Sequence, residues 1–295
     1  MTDPGPRAEP VVEEIRLPDG TVTPLRVFVT APDRPTIVLW PGLGVPAAYF
    51  DLFADRCGHA GVNVVVGELR GQGRSRPRPS RVSRFGQQAL TAEDIPAAVA
   101  VARKYAPTAP LFVAGHSMGG HIASMFAARN AIRGDSEIAG LILVASGVPY
   151  WKLYRGGQGV LATVGPPAMH RVSKTLGYWP GSVIEGYGRQ SRVLIRDWTY
   201  LNRNGTFAPR DADVDYEAAM RQLRLPVCAI TVGADTDAPP RVMRALTAKL
   251  AECVVDTHHV AAPLGHNRWA RDARVAAIVA DWVGGVAADV GTNCT

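Results

Sequence analysis

Apolar and polar residues alternate from residue 11 to residue 29 around a Pro18-Asp-Gly20 turn, which predicts a pair of antiparallel strands. The pattern then changes. Residues 36–40, 62–66, 111–114, 141–145 and 226–232 are short runs that are apolar at nearly every position, as expected of strands covered on both faces. Between them, Phe50, Phe53 and Cys57 recur at i, i+3 and i+7 within 46–60. Ile95, Val99 and Ala102 do the same within 91–105, and Ile122, Met125 and Phe126 follow residue 120. This spacing predicts amphipathic helices. A last strand is expected at about 253–260 and a last helix at 269–284. Eight strands alternating with helices through short connections predict an α/β fold, with a mostly parallel sheet covered by helices.

The rhythm is interrupted once. From Pro149 to about Leu225 no buried strand is expected, and the segment is rich in aromatic and basic residues, including six of the eight tyrosines. The domain plan is therefore a core of residues 11–148 and 226–285, an insertion at 149–225, a disordered N-terminal tail at 1–10 and a C-terminal tail at 286–295. At 295 residues, 47% hydrophobic and 20% charged, one α/β domain with an insertion fits the chain as well as two domains do.

Composition excludes several classes of function. The first ten residues are polar and proline-rich, and no apolar run approaches the roughly 20 residues of a membrane span. A cytoplasmic protein without a membrane partner is expected. Cys57, Cys228, Cys253 and Cys294 lie far apart with no C-x-x-C spacing, so neither a disulfide framework nor a metal site is expected. The net charge of +6 comes almost wholly from arginine. The one cluster, Arg74, Arg76, Arg78, Arg81 and Arg84, is interleaved with Ser and Pro and carries no stacking aromatics. Nucleic acid is thus not an expected partner, and a solvated loop near the rim of a site fits better.

The chemistry centres on Gly115-His-Ser117-Met-Gly119-Gly120, placed between a strand and a helix. Glycines on both sides of a serine remove the Cβ atoms that would clash in a sharp strand-to-helix turn, so the hydroxyl is pushed out at the head of the sheet. The N–H groups that follow begin a helix and can face a developing oxyanion. The segment resembles the nucleophile elbow of the α/β-hydrolase superfamily. The phrase Gly67-Glu-Leu-Arg70-Gly71-Gln-Gly73-Arg-Ser75 is similar to that superfamily's D-x-R-G-x-G-x-S loop, with Glu68 in place of Asp and a structural role.

The resemblance implies the rest of a site. Its oxyanion donors would be the backbone N–H groups of Met118 and of Leu43, in the Pro41-Gly-Leu-Gly44 loop, where Pro41 replaces a common histidine. The acid would lie in the loop after residues 226–232, four residues before Pro239, which selects Asp235 and leaves Asp237 as its competitor. The base would be His266, beside Gly265 in the loop after the last strand, with His258 or His259 as alternatives. The 149–225 insertion falls after the sixth strand, where the superfamily places a lid. Tyr150, Trp151, Tyr178, Trp179 and Trp198 are therefore candidates for the pocket wall. Gly177-Tyr-Trp-Pro-Gly181 and Arg196-Asp-Trp198 resemble a bacterial branch of lidded hydrolases.

A serine at the elbow disfavours haloalkane-dehalogenase and epoxide-hydrolase chemistry, which needs a carboxylate there. The expected reaction is hydrolysis of an ester or thioester of a small to medium acyl substrate through an acyl-enzyme, with no cofactor. Acyl transfer, cyclisation or elimination by the same residues is the alternative, and would reveal itself in the products. A catalytically silent binding protein would need a broken triad. The basic insertion hints at a carboxylate-bearing or carrier-linked acyl group, though surface arginines explain it equally well.

Overall fold

The computed structural model describes residues 9–134, 138–181 and 187–292. Its eight-stranded sheet consists of β1 (Val11–Arg16), β2 (Val22–Phe28), β3 (Thr36–Trp40), β4 (Asn63–Val66), β5 (Leu111–His116), β6 (Gly140–Val144), β9 (Pro226–Val232) and β10 (Val254–Val260). The order across the sheet is β1-β2-β4-β3-β5-β6-β9-β10. Only β1 and β2 run against their neighbours; from β4 to β10 all pairings are parallel. The uniformly apolar runs have the predicted cause. Along β3, Val38 and Trp40 enter one core cluster, with residues of helices α3 (Ile95–Tyr105) and α4 (Met118–Arg133). Ile37 and Leu39 enter the other, with α1 (Asp51–His59) and α9 (Ala273–Thr292). The central strands β3, β4, β5 and β6 thus bury both of their faces, while the edge strands β1 and β10 leave most residues at least partly exposed.

Helix boundaries differ from expectation in two places. The helix expected at 91–105 begins earlier, at α2 (Gln87–Ala89), and passes through a wide turn at Leu90–Asp94 before α3. Asp94 does not cap it; the side chain is buried and pairs with Arg70. The helix expected at 269–284 starts at Ala273, after a 3₁₀ turn over Arg268–Arg271, and continues to Thr292. Most of the expected C-terminal tail at 286–295 is therefore helical. Gly284 and Gly285 suggest a stop, but Val283, Val286 and Ala287 keep the helical period and pack on the core, and that burial outweighs the glycine cost. Residues 293–295, and residues 1–8 of the expected N-terminal tail, lie outside the described residues.

Between β6 and β9 the chain forms α5 (Gly156–Leu176), β7 (Tyr178–Gly181), β8 (Gly188–Ser191), α6 (Arg192–Asn204), α7 (Tyr216–Gln222) and, after β9, α8 (Pro240–Thr247). The expectation of no buried strand in this segment misses the antiparallel β7–β8 ribbon, in which Trp179, Gln190 and Ser191 are buried. Each strand is only four residues long, too short for a periodic signal. Local chemistry explains the helix ends. Ser191 caps α6 by accepting from Val193 N, Gly205 ends it in the left-handed region at φ 67°, and Asp215 caps α7 by accepting from Ala218 N. Among the described residues, no helix is long and apolar enough to cross a membrane.

The insertion is pinned to the body by Asp197 of α6. Only 2% exposed, its carboxylate accepts from the backbone N of Gln87 at 3.1 Å and of Arg210 at 3.0 Å, and from the Arg196 guanidinium at 2.9 Å. Burial pushes its pKa up to about 6 despite those donors. A carboxyl raised on folding stabilises the fold below its unfolded pKa, and that contribution is lost as pH rises through the folded value. Relative to an Asp197→Asn variant, the wild type should therefore lose up to about 3 kcal/mol between pH 4 and pH 7. Urea unfolding of both proteins at the two pH values tests this; a pH-independent difference would contradict it.

Candidate active site

Ser117 stands between β5 and α4 with φ at 53°, in a region that a side chain rarely occupies, and the neighbouring glycines explain how the turn closes. A Cβ on Gly115 would lie 2.3 Å from the backbone of Gly119, and one on Gly119 would lie 2.1 Å from the carbonyl oxygen of Trp40. Neither position has room for a side chain, so helix α4 starts in direct backbone contact with β3 and β5. The turn is held from below as well. Ser117 N donates to Val144 O at 3.2 Å, and Ser146 Oγ donates to Ser117 O at 2.7 Å.

Three residues far apart in sequence meet at this turn. Ser117 Oγ lies 2.8 Å from His266 Nε2, and His266 Nδ1 lies 3.0 and 3.1 Å from the two carboxylate oxygens of Asp235. Asp235 is buried and also accepts from the backbone N–H groups of Asp237 and Ala238, at 3.0 and 2.8 Å, which fixes its orientation. Its competitor Asp237 points elsewhere: its side chain is exposed and its carbonyl accepts from the Tyr154 hydroxyl at 2.7 Å. His258 and His259 stay within β10, where His259 Nδ1 meets Thr231 Oγ1 at 2.9 Å.

One histidine beside the serine has a role the sequence did not suggest. His116 is buried under the site, its ring centroid 4.9 Å from that of His266, and its Nε2 donates to the His266 carbonyl at 3.0 Å. Burial, reinforced by the neighbouring His266, holds its pKa well below the usual imidazole range. A neutral His116 therefore anchors the loop that carries His266 without adding a charge beneath it.

Leu43 and Met118 line the same cavity as Ser117 and His266. Met118 is the first residue of α4, so its N–H has no partner within the helix. The Leu43 loop is braced on both sides. Gly42 faces His116 and Ser117 so closely that a Cβ would lie 2.9 Å from each side chain, and Gly44, at φ 79°, abuts the backbone of Tyr187. Gly44 N donates to Gln72 Oε1 at 2.6 Å, and Gln72 Nε2 donates to Gln190 Oε1 on β8 at 3.1 Å. Two buried amides thus connect the loop to the insertion.

The glycine-rich loop after β4 is structural, as expected, but Glu68 and Arg70 hold it through different partners. Glu68 accepts from the backbone N of Ala47 and Arg74, at 3.2 and 3.3 Å, and burial raises its pKa. A side chain at Gly73 would overlap that carboxylate. Arg70 is 2% exposed and pairs with Asp94, with Glu93 at 2.7 Å and with Asp19 at 2.9 Å. Within the arginine cluster, Arg76, Arg78, Arg81 and Arg84 donate to backbone carbonyls, including Gly71, Gly73 and Leu176, so they brace the loop.

The cavity over Ser117 has a volume of about 390 Å³. Of the five aromatics expected in its wall, only Trp198 lines it. Tyr150 packs on the core, Trp151 lies under the cations of Lys152 and Arg203, and Tyr178 lies 3.8 Å beneath the Arg189 guanidinium. Trp179 is buried with Met169 and Ile195. The last three fasten the insertion together. The wall uses Tyr154 and Tyr187 instead, with Leu161, Pro166 and Met169 of α5. Helical spacing from α5 is the sequence signal that could have found the last three. Among the described residues no Arg or Lys lines the cavity, and Asp237 is the one acidic residue at its edge, so the basic surface does not extend into the site.

No curated protein sequence matches the chain. Solved structures do. A soluble variant of monoglyceride lipase from Saccharomyces cerevisiae, in complex with a substrate analog, aligns over 97% of this chain and 98% of its own, with 16% identity and a TM-score of 0.69. The esterase RhEst1 from Rhodococcus sp. ECU1013 aligns over 93% and 99%, with 18% identity and a TM-score of 0.58. A thioesterase domain from the curacin biosynthetic pathway aligns over 92% and 99%, with 17% identity and a TM-score of 0.57. At such identities these likenesses speak to the fold. Residues 31–199, more than half of the chain, match a family model described as Hydrolase_4, serine aminopeptidase, S33, and the chain accordingly belongs to this family of α/β hydrolases.

Proposed function

We propose that the chain is a serine hydrolase that cleaves an ester or thioester of a small to medium acyl substrate through an acyl-enzyme on Ser117. The observation that carries this reading is the unbroken hydrogen-bonded chain from Ser117 Oγ through His266 to Asp235, at 2.8 and 3.0 Å. In the neutral imidazole, an Nδ1–H directed at Asp235 leaves the Nε2 lone pair facing the serine hydroxyl. His266 takes the serine proton as Oγ attacks the carbonyl carbon, and Asp235 stabilises the resulting imidazolium. The N–H groups of Leu43 and Met118 hold the oxyanion, each contributing on the order of 10²–10³ in rate. His266 then returns the proton to the leaving alcohol or thiol. Water, deprotonated by the same histidine, releases the acid.

The insertion acts as a lid in this reading. α5 supplies much of the cavity wall, and a wall this apolar excludes water while the carbonyl is attacked. A volume of about 390 Å³ suits a small to medium acyl group better than a protein chain.

Intact-mass and peptide mass spectrometry after incubation with a fluorophosphonate test the proposal. One adduct is expected, on the peptide carrying Ser117, and Ser117→Ala should carry none. An adduct that persists in the alanine variant, or a folded wild type that stays unlabelled, would refute the nucleophile assignment.

A further inference from the structure

The longest helix of the insertion turns an apolar face to solvent. On α5, Val160 is 66% exposed, Leu161 62% and Val164 60%, and no other helix among the described residues carries more than one large apolar side chain so exposed. At the helical repeat these three share one face with Ala168 and, further along, with Arg171, Lys174 and Thr175, all of them exposed. The face is thus apolar over its first turns and basic over its last. Polar residues would form the same helix without the cost of an apolar patch in water, so the patch asks for a partner.

The surroundings are basic and contain no acid. From residue 149 to residue 181 the sequence holds no Asp or Glu, while Lys152, Arg155, Arg171 and Lys174 are exposed. Lys152 and Arg155 border a surface groove together with Trp151, Val160 and Val164, so cations flank the stripe at its N-terminal end as well. The Trp151 ring lies under the cations of Lys152 and Arg203. An aromatic ring beneath cations suits the level at which lipid headgroups meet acyl chains.

Charge decides between the kinds of partner that cover an apolar face. A second copy of the chain would bring the same cations against these, and with no carboxylate in the segment to answer them the pairing repels. An acidic protein would answer the cations but leave the aliphatic stripe facing a charged surface. An anionic bilayer supplies both halves, negative headgroups at the level of the basic residues and acyl chains beneath for Val160, Leu161 and Val164.

We propose that this face of α5 docks on the surface of an anionic lipid bilayer, with Val160, Leu161 and Val164 entering the boundary between headgroups and acyl chains and Lys152, Arg155, Arg171 and Lys174 meeting lipid phosphate. A helix that lies on a bilayer needs no spanning length, so the expectation of no membrane partner, drawn from the lack of an apolar span, is replaced for the membrane surface. Leu161 belongs both to the stripe and to the wall of the Ser117 cavity, and Tyr154 lines the cavity and the groove. Docking therefore sets the rim of the cavity against the lipid. Under the serine-hydrolase reading, on which this consequence rests and the docking does not, the ester reaches Ser117 from the membrane, which narrows the substrate class to acyl compounds that dissolve in lipid.

Co-sedimentation of the full chain with vesicles tests the docking without any substrate. At low salt the wild type should partition onto phosphatidylcholine vesicles containing about one third phosphatidylglycerol at least roughly tenfold more strongly than onto phosphatidylcholine alone, and high salt should remove that margin. The paired substitutions Val160→Asp with Val164→Asp, and Lys152→Gln with Arg155→Gln, should each weaken partitioning by roughly tenfold or more. Ser117→Ala should bind as the wild type does. Fluorophosphonate labelling without vesicles reports Ser117 separately. Labelled wild type that stays in the supernatant overturns the docking alone, whereas unlabelled wild type that binds overturns the hydrolase reading alone. Equal binding to both kinds of vesicle, or binding that survives both paired substitutions, also overturns the docking. Binding to an acidic holo-acyl carrier protein, with none to vesicles, gives the face to a protein partner and refutes the proposal. Should the variants fold poorly, the wild-type comparison of vesicles and salt still decides.

Discussion

Asp235→Asn should lower kcat/KM by about 10⁴, whereas Asp237→Asn should change it by less than about 10-fold. The two residues are only two positions apart, yet the fold gives them opposite surroundings. Asp235 is buried, accepts two backbone N–H bonds and faces His266 Nδ1 with both oxygens. An amide there still fills the space, but it has one acceptor for three donors. It either presents its own N–H₂ to the imidazole, which forces the proton onto Nε2 and blocks the base, or abandons the backbone donors. Asp237 has an exposed carboxylate and takes part through its backbone. Steady-state rates on a panel of acyl esters, together with rates of fluorophosphonate labelling, measure both effects. A larger loss for Asp237→Asn would show that the acid had been misassigned.

The second large effect is on stability. Asp94→Ala should destabilise the protein by about 3 kcal/mol, at the lower end of the cost of breaking a buried ion pair. Arg70 is 2% exposed and would keep Glu93 and Asp19 as partners, but both of these are partly solvated. A drop in Tm of roughly 5–10 °C in calorimetry or dye-based melting is the expected observation. Arg70→Met provides the opposite case. Burial already pushes the Asp94 carboxyl up to about 6, and removing the cation raises it further. A carboxyl raised on folding favours the folded state at low pH, so this variant should approach wild-type stability as pH falls and be weakest above neutrality. A Tm for Asp94→Ala within a degree or two of the wild type would contradict the assignment of Arg70 as a buried keystone.

The fold was largely legible because both of its signals are local. Runs such as 36–40 and 62–66 have no polar position to place toward solvent, and that alone requires helices on both faces of the sheet. The elbow was legible for a related reason, since Gly115 and Gly119 occupy positions where any side chain would strike backbone. The pocket wall was not. Whether Trp179 or Tyr154 faces the cavity depends on how α5, the β7–β8 ribbon and α6 rotate against one another, and composition says nothing about rotation. Trp179 turns toward Met169 and Ile195, while Tyr154 reaches over the loop that carries Asp235 and Asp237. His116 escaped notice because its contribution, a hydrogen bond to the carbonyl of His266, joins positions 150 residues apart. The continuation of the last helix beyond residue 284 is not legible locally, because Gly284 and Gly285 are poor helix formers and only the packing of Val283, Val286 and Ala287 on the core overrides them.

The insertion and the loop of Leu43 form one truss. From Gln190 through Gln72 to Gly44, two hydrogen bonds through buried side-chain amides run from the ribbon of the insertion to the residue next to Leu43, and the backbone of Tyr187 rests on that same glycine. A core trimmed of residues 149–225 would lose more than its cover. Its Leu43 loop would give up the far support of Gln72 and the contact that keeps Gly44 in place, so the trimmed enzyme would be slack where a developing charge needs a rigid donor. If Leu43 holds the oxyanion as proposed, grafting a foreign insertion onto this core should change substrate preference and turnover together.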